Sequence, residues 1–378
     1  KTQVKDTILA VEVPVNSLEI LAEKALPDTT KIKLQDMALA RRYDSLWLDE
    51  LYNNELFEQI YGSITAMTYD PVEYVELPTD TLKARLAEIN SRTPFNVEYN
   101  PALESVIKNY LKNRRSTMGR LMALSDYYFP MFEQALDNYN IPLELKYLAI
   151  VESALRPTAE SRVGATGLWQ FMFSTGKMFG LNVNSYVDDR SDPLKATQAA
   201  CKYLQALYKR LGDWDLALAA YNSGPGNVSK AIRRSGGRIN YWNIRQHLPR
   251  ETAGYVPAFL ATMYIFEYSK QHGFNSDGPR IPYIATDTIH IKKQIALEHV
   301  AHLTDIDLAE VTFLNPQYKL GIIPVVKNQT YTLRLPIDKV GVFVANQDTI
   351  YAYAQQAFNK REKPLPELND LDKKIYYK

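Results

Sequence analysis

The stretch IPLELKYLAIVESALRPTAESRVGATGLWQFM, residues 141–172, sets one acidic side chain into an apolar run and follows it with a glycine-rich turn. Pro142 suits the first turn of a helix and Pro157 lies just past the last apolar position, so the run predicts a helix between them. Spacings of three and four residues place Glu152 on one stripe of that helix together with four apolar neighbours. These neighbours are Leu145, Leu148, Ala149 and Leu155.

A carboxyl group in this position is expected to hold its proton unusually well. Burial disfavours the charged form of Glu152, and the negative end of the helix dipole acts in the same direction. A carboxyl that is still protonated near neutral pH can serve as a general acid. The alternative is that Glu152 pairs with a buried arginine and stabilises the core, and the pattern alone leaves both interpretations open.

Three further stretches combine glycine turns with aromatic and amide side chains. They are GATGLWQFM at residues 164–172, ALAAYNSGPGNVSKA at 217–231 and PRETAGYVPAF at 249–259. Glycine lets a backbone approach a ligand closely, and aromatic faces and amides suit sugar binding. Taken alone, the first stretch is more typical of a helix start with aromatic residues in the core, and the second of a helix end. In the third, Glu251 and Tyr255 are four residues apart and so lie on one helical face.

Taken in order, these residues resemble the soluble lytic transglycosylase domain of glycoside hydrolase family 23, which has the lysozyme fold of goose-type lysozyme. The resemblance extends over about 140–270 and rests on Glu152-Ser153, on the GATGLWQFM stretch, on Ala220-Tyr221-Asn222 and on Glu251 with Tyr255. Phe173 departs from the family pattern, which usually has proline there. The order of the whole chain is similar to that of membrane-bound D-type lytic murein transglycosylases.

The resemblance implies an enzyme that cleaves the bond between N-acetylmuramic acid and N-acetylglucosamine in peptidoglycan. It implies that Glu152 alone is catalytic and that the muramic acid 6-hydroxyl is the nucleophile, which leaves a 1,6-anhydro end. It also implies a set of substrate-binding residues, which comprises Ser153, Gly167, Trp169, Gln170, Met172, Tyr221, Asn222, Glu251 and Tyr255. Two alternatives remain open: a goose-type lysozyme that hydrolyses the same bond, and a glycan-binding scaffold without activity.

Composition argues against several other classes of protein, namely nucleic-acid-binding, disulfide-bonded, metal-binding and membrane-spanning proteins. The formal net charge of +1 over 378 residues offers no strong field for nucleic acid. The one cysteine, Cys201, rules out an internal disulfide and is expected to be a buried, inert thiol. His299 and His302 lie close together but without suitable partner ligands, so neither a metal nor another cofactor is expected. No apolar run reaches the length of about 20 residues that a membrane span requires.

The predicted fold class is mainly α, with a lysozyme-like (goose-type) helical catalytic domain and a small βααβ LysM-like appendage. The chain is predicted to divide into five parts: an N-terminal arm at 1–100, the catalytic domain at 101–272, a linker at 273–285, a degenerate LysM-like module at 286–336 and a C-terminal extension at 337–378. In the module, the LysM resemblance is poor, and glycan binding and a purely structural role both remain open.

Several elements can be predicted within these divisions. A helix is expected over 41–60, and another over 191–212 whose buried face would comprise Leu194, Cys201, Leu204, Tyr208 and Leu211. In the C-terminal part, VGVFVAN at 340–346 predicts a strand and DTIYAYAQQAFNK at 348–360 predicts a helix.

The expected partner is the peptidoglycan glycan strand, and the resemblance therefore implies the periplasm or cell envelope. The chain begins without methionine, so an export signal is expected to have been removed, and this N-terminus is compatible with a lipid anchor on the outer membrane. We expect a monomer.

Overall fold

Helices make up most of the part of the chain that the computed structural model describes, namely residues 76–274 and 285–360. This agrees with the predicted mainly α fold class. The helix predicted over 41–60 lies outside the described residues. The domain boundaries stay predictions.

The first described part forms ten α-helices. They are α1 (Thr79–Arg92), α2 (Pro101–Asn113), α3 (Arg115–Asn138), α4 (Leu148–Ser153), α5 (Phe173–Met178), α6 (Pro193–Leu211), α7 (Trp214–Ser223), α8 (Pro225–Arg234), α9 (Tyr241–Ile244) and α10 (Arg250–Glu267). Short 3₁₀ turns occupy Leu143–Tyr147, Arg245–His247 and Lys270–His272. Helix α10 packs against α2, α4 and α7, and thus lies at the centre of the domain.

Side-chain caps explain where several of these helices begin. The Asn100 side chain accepts a hydrogen bond from the Leu103 N–H at the start of α2, and Pro101 follows as the first helical residue. At the start of α6, the Asp192 carboxylate accepts hydrogen bonds from the first-turn amides. Such caps satisfy N–H groups that have no partner within the helix, which is why Asn-Pro and Asp-Pro mark both starts.

The second described part is a small α/β module. Its elements are β1 (Thr286–Ile291), β2 (Ile295–Ala296), α11 (Leu297–Thr304), α12 (Leu308–Leu314), β3 (Ile322–Ile323), β4 (Tyr331–Pro336), α13 (Ile337–Ala345) and α14 (Gln347–Asn359). Strand β1 pairs antiparallel with β4, with Ile289 opposite Leu333, and β2 pairs antiparallel with β3. The predicted β-α-α-β order and the helix predicted over 348–360 are confirmed.

The structure corrects the strand predicted over 340–346. This segment belongs to helix α13, which follows Pro336 and buries Phe343 while Val342 and Val344 stay exposed. The alternation of valines resembles a strand, but Phe343 packs into the apolar core of the module from one face of a helix. Packing against α11 and the β1–β4 pair therefore overrides the local β-propensity.

Two helix predictions also need correction. In α6, Cys201 and Leu204 are buried as predicted, but Leu194 and Tyr208 are each 39% exposed and Leu211 is half-buried. The buried face is formed instead by small residues, namely Ala196, Thr197, Ala199 and Ala200, with Leu207. The helix predicted between Pro142 and Pro157 is a 3₁₀ turn followed by the short α4.

Candidate active site

Glu152 lies one residue before the end of α4, where the chain turns sharply. Ala154 and Leu155 both adopt left-handed backbone conformations, with φ of 52° and 60°. Their N–H groups donate to the carbonyls of Ile150 and Ala149 and so close the helix end. Left-handed conformations are unfavourable for residues with a side chain, and two in succession store strain directly beside the acid.

The surroundings of Glu152 favour its protonated form. Its residue surface is half-buried, and the Tyr255 hydroxyl donates a hydrogen bond to its carboxylate. Burial raises the pKa of Glu152 to about 7, although the Tyr255 hydrogen bond acts in the opposite direction. The negative charge of exposed Glu251, in the first turn of α10, raises this pKa further. The raised pKa predicted from the sequence is thus confirmed in direction.

The loop 164–172 lies on a rigid frame. Thr166 and Phe171 exchange backbone hydrogen bonds of 3.0 Å, and they enclose a tight turn in which Gly167 has φ of +90°. A Cβ atom on Gly167 would lie 1.9 Å from the backbone oxygen of Arg190. Glycine is therefore required here twice, for its conformation and for the close approach.

Gln170 fixes the same turn from within. It has φ of 47°, and its side-chain amide donates to the carbonyls of Ala159 and Gly167 at 3.0 Å each. This amide is therefore engaged in holding the loop. Met172, at the end of the loop, is 42% exposed and free to contact a ligand.

The structure corrects the role predicted for Trp169. Its side chain is fully buried, its Nε1 donates to Thr197 Oγ1 at 2.9 Å, and its ring packs against Phe132. The ring cannot contact a glycan directly, because no part of it reaches the surface. Its backbone carbonyl does support the site, since it accepts a hydrogen bond of 2.7 Å from the Tyr221 hydroxyl.

Ser153 and Gly167 are also buried and build the site from beneath. The Ser153 hydroxyl lies between the carbonyls of Ala149 and Leu168, at 3.0 Å and 2.9 Å, and so ties α4 to the loop 164–172. Direct contact of Ser153 or Gly167 with a substrate is therefore not supported by this structure. Both residues position their neighbours.

Tyr221 and Tyr255 come together around Glu152 from two different helices. Burial raises the pKa of the Tyr221 and Tyr255 hydroxyls well above their usual value, and the charge of Glu152 adds to both shifts. The two phenols therefore stay neutral. Asn222 accepts a hydrogen bond of 2.8 Å from Thr252 Oγ1, which joins the end of α7 to α10.

The buried charged residues that hold the loop 164–172 in place were not predicted from the sequence. Arg190 and Asp188 form a buried ion pair of 2.8 Å, and Arg190 also donates to the carbonyls of Gly164 and Phe171. The stretch DDRSDP contains these charges, but nothing in it distinguishes a buried arginine from a solvated one. The depletion of buried charges in proteins would even predict the opposite.

The described residues contain no group of three or more histidine, cysteine or acidic side chains that could hold a metal ion. Burial raises the pKa of the Cys201 thiol to about 12, which makes this buried cysteine inert. Within the ranges 76–274 and 285–360, no helix is both long and apolar enough to cross a bilayer.

Comparison with known families is consistent with this geometry. Residues 130–243 match the family model of the transglycosylase SLT domain, and residues 285–352 match that of the LysM-like domain of lytic transglycosylase MltD. The second match extends beyond the predicted βααβ unit and includes α13.

Individual relatives point in the same direction. The chain is 32% identical over 240 residues to membrane-bound lytic murein transglycosylase D of Escherichia coli strain K12. The aligned region covers 62% of this chain and 52% of the relative. It is 34% identical over 148 residues to the soluble lytic murein transglycosylase of the same strain, covering 37% of this chain and 23% of that one. The chain thus spans about half the length of the first of these relatives.

A solved structure overlaps part of the chain. It is the 70-kDa soluble lytic transglycosylase from Escherichia coli, with 25% sequence identity and a TM-score of 0.38 over 65% of this chain and 39% of that chain.

Proposed function

We propose that this chain, in which residues 130–243 form a transglycosylase SLT domain and residues 285–352 an MltD-type LysM-like domain, is a peptidoglycan lytic transglycosylase. It would cleave the β-1,4 bond between N-acetylmuramic acid and N-acetylglucosamine and leave 1,6-anhydro-muramic acid ends. The observation that carries the proposal is Glu152, whose carboxyl has a pKa raised to about 7 by burial within the SLT domain.

Glu152 first acts as a general acid. Its proton passes to the glycosidic oxygen, the bond from this oxygen to the muramic acid C1 breaks, and the positive charge that develops on the sugar is stabilised by the substrate's own N-acetyl group. A carboxyl that is about half protonated near pH 7 suits this step, because proton donation is most effective when the pKa lies near the working pH.

Glu152 then acts as a base. The resulting carboxylate takes the proton from the muramic acid 6-hydroxyl, whose oxygen forms the new bond to C1. The proton count returns to its starting value and no water is consumed. Ordinary glycosidases need a second carboxylate as nucleophile or base. Here the substrate hydroxyl takes that role, and the exposed Glu251 serves as a supporting polar residue.

The neighbours of Glu152 divide into two groups in this proposal. Tyr255, Tyr221 and Met172 would contact or orient the sugar, and Asn222 and Gln170 would assist from hydrogen-bonded positions. The buried residues Ser153, Gly167 and Trp169 would keep these groups in place. Well-oriented intramolecular attack can reach effective molarities of about 10⁵ M or more, which favours ring closure over attack by water.

The proposed substrate places the protein in the cell envelope, where murein lies. The relative from Escherichia coli is named as membrane-bound. Periplasmic location, attachment to the outer membrane through a lipid anchor, and a monomeric state are further parts of the proposal.

Digestion of purified peptidoglycan in ¹⁸O-labelled water tests the proposed reaction. The new muramic acid ends should be 1,6-anhydro, lighter by one water than hydrolytic ends, and free of label by mass spectrometry. Labelled reducing ends would instead identify a lysozyme-type hydrolase. Binding of glycan strands without any new ends would identify a non-catalytic scaffold.

A further inference from the structure

The segment between α5 and α6 is fastened to the LysM-like module along its backbone. Val187 and Tyr318 form an antiparallel bridge. The Lys319 N–H donates to the Tyr186 carbonyl at 2.9 Å, and the Asp188 N–H donates to the Gln317 carbonyl at 3.0 Å. Backbone pairing of this kind fixes a register, so the module holds this segment in one position.

Apolar packing strengthens the same attachment in both directions. Val187 is 2% exposed and belongs to the apolar core of the module, although it lies in the segment that leads into α6. From the other side, Leu314 of the module belongs to the core of the catalytic domain, and Phe313 packs against Tyr127 with ring centroids 5.2 Å apart. Each part therefore completes the core of the other.

The same segment holds the loop 164–172 from its other side. The Asp188 carboxylate accepts two hydrogen bonds from the Arg190 guanidinium, at 3.0 Å and 2.8 Å, and both residues are buried. The remaining nitrogen of Arg190 donates to the carbonyls of Gly164 and Phe171, at 2.9 Å and 3.2 Å. A bidentate buried pair of this type has a planar, rigid geometry.

Asp188 thus joins the two attachments within a single residue, since its N–H binds the module and its carboxylate binds Arg190. We infer that the LysM-like module supports the loop 164–172 of the candidate active site, and that Arg190 is the positioning residue through which the module holds this loop beside Glu152. This role depends on the proposed function only for its effect on catalysis. The mechanical connection itself consists of the contacts described above.

A pair of matched substitutions in the full chain tests the inference. Val187→Ala removes methyl groups from the core of the module, at a residue that lies in the segment between α5 and α6. Val300→Ala removes the same atoms from the same core, but from α11, and Val300 is likewise fully buried. Both variants should lose similar amounts of thermal stability, because each removes the same methyl groups from the same core.

The two variants should differ in the protection of the loop 164–172 and in activity. In Val187→Ala we expect the backbone amides of residues 164–172 to exchange with deuterium severalfold faster than in the unmodified chain, and kcat/KM for peptidoglycan to fall about tenfold, since small displacements of positioning groups are costly. In Val300→Ala both quantities should stay within about twofold of the unmodified chain. Arg190→Lys, which keeps the charge but cannot span Asp188 and both carbonyls, should reproduce the loop effect.

Equal exchange rates of the loop in the two valine variants would overturn the inference, whatever their activities. So would a loss of activity in Val187→Ala that Val300→Ala matches. If the unmodified chain releases no anhydro ends, the proposed function fails, and the exchange comparison still decides whether the module supports the loop.

Discussion

At the scale of single residues, the pairing of Glu152 with Tyr255 sets the chemistry of the site. Desolvation raises the pKa of the carboxyl, the tyrosine hydrogen bond lowers it, and the charge of Glu251 raises it further, which together give a pKa of about 7. Both protonation states of Glu152 are therefore populated near neutral pH. In the proposed reaction Glu152 first donates and later accepts a proton, and this balance suits both steps.

Replacement of that carboxyl is the most direct prediction at this scale. Glu152→Gln should lower turnover by about 10²- to 10⁴-fold, the usual contribution of a general acid, because the amide keeps the shape but cannot donate an acidic proton. Release of anhydro ends by mass spectrometry measures the loss, and circular dichroism checks that the fold is intact. Exposed Glu98→Gln is the control and should remain fully active. Near-normal activity of Glu152→Gln would place the catalytic acid elsewhere.

The second prediction concerns pH. The hydrogen bond from Tyr255 lowers the pKa of Glu152, so Tyr255→Phe should raise this pKa further. Because the active form of a general acid is protonated, activity falls as the pH rises through its pKa. The basic limb of the kcat/KM profile, near pH 7 in the unmodified enzyme, should therefore move to higher pH.

The matched control is Tyr268→Phe, which removes another tyrosine–carboxylate hydrogen bond, that to Glu88, just past the C-terminal end of α10. Its basic limb should stay in place. If the basic limb does not move in Tyr255→Phe, or moves equally in both variants, a group other than Glu152 sets the pH dependence.

At the scale of elements, the loop 164–172 depends on a backbone contact that only glycine permits. Gly167 and Gly164 have similar left-handed φ values, +90° and +80°, but only Gly167 faces the backbone of Arg190 at a distance too short for a Cβ. The positions of the two glycines therefore separate backbone strain from steric overlap.

We expect Gly167→Ala to destabilise the protein by about 2–4 kcal/mol, since both strain and a backbone clash must be relieved, and to impair catalysis. Gly164→Ala adds a methyl group in open space at a similar φ and should cost only about 1 kcal/mol. Denaturant unfolding of the two variants measures the difference. Equal losses would mean that the loop can move away from Arg190 without penalty.

At the scale of the whole molecule, a buried carboxyl outside the site should make stability depend on pH. Asp215, in the first turn of α7, accepts a hydrogen bond from the Asn96 N–H, and its other oxygen is buried without a partner among the described residues. Burial raises its pKa to about 7, and the charge of Asp213 adds to the shift. Between the unfolded pKa of about 4 and about pH 7, the folded protein therefore binds more protons than the unfolded chain, and stability falls as pH rises.

Asp215→Asn should reduce this pH dependence, because the amide does not titrate. Between about pH 5 and about pH 8, the free energy of unfolding should decrease by about 1–4 kcal/mol less in the variant than in the unmodified chain. Asp137→Asn, at an exposed aspartate, is the matched control for the substitution itself. An unchanged slope in Asp215→Asn would assign the pH dependence to other groups, Glu152 first among them.

The sequence by itself determined the mainly helical class and the β-α-α-β order of the module, because the periodicity of apolar residues is a local property. It also predicted a raised pKa for Glu152 but left open whether this side chain pairs with a buried arginine. The tertiary structure decided that question, because the hydroxyl that contacts Glu152 belongs to Tyr255, which is distant in the chain. The positions of Trp169 and Arg190 were decided only by the tertiary structure. Whether an aromatic ring faces a ligand or the core, and whether an arginine is solvated or paired, depends on residues that are distant in the chain, such as Thr197 and Phe171. The same holds for residues 340–346, whose valines favour a strand locally but which form a helix that buries Phe343 against distant parts of the module.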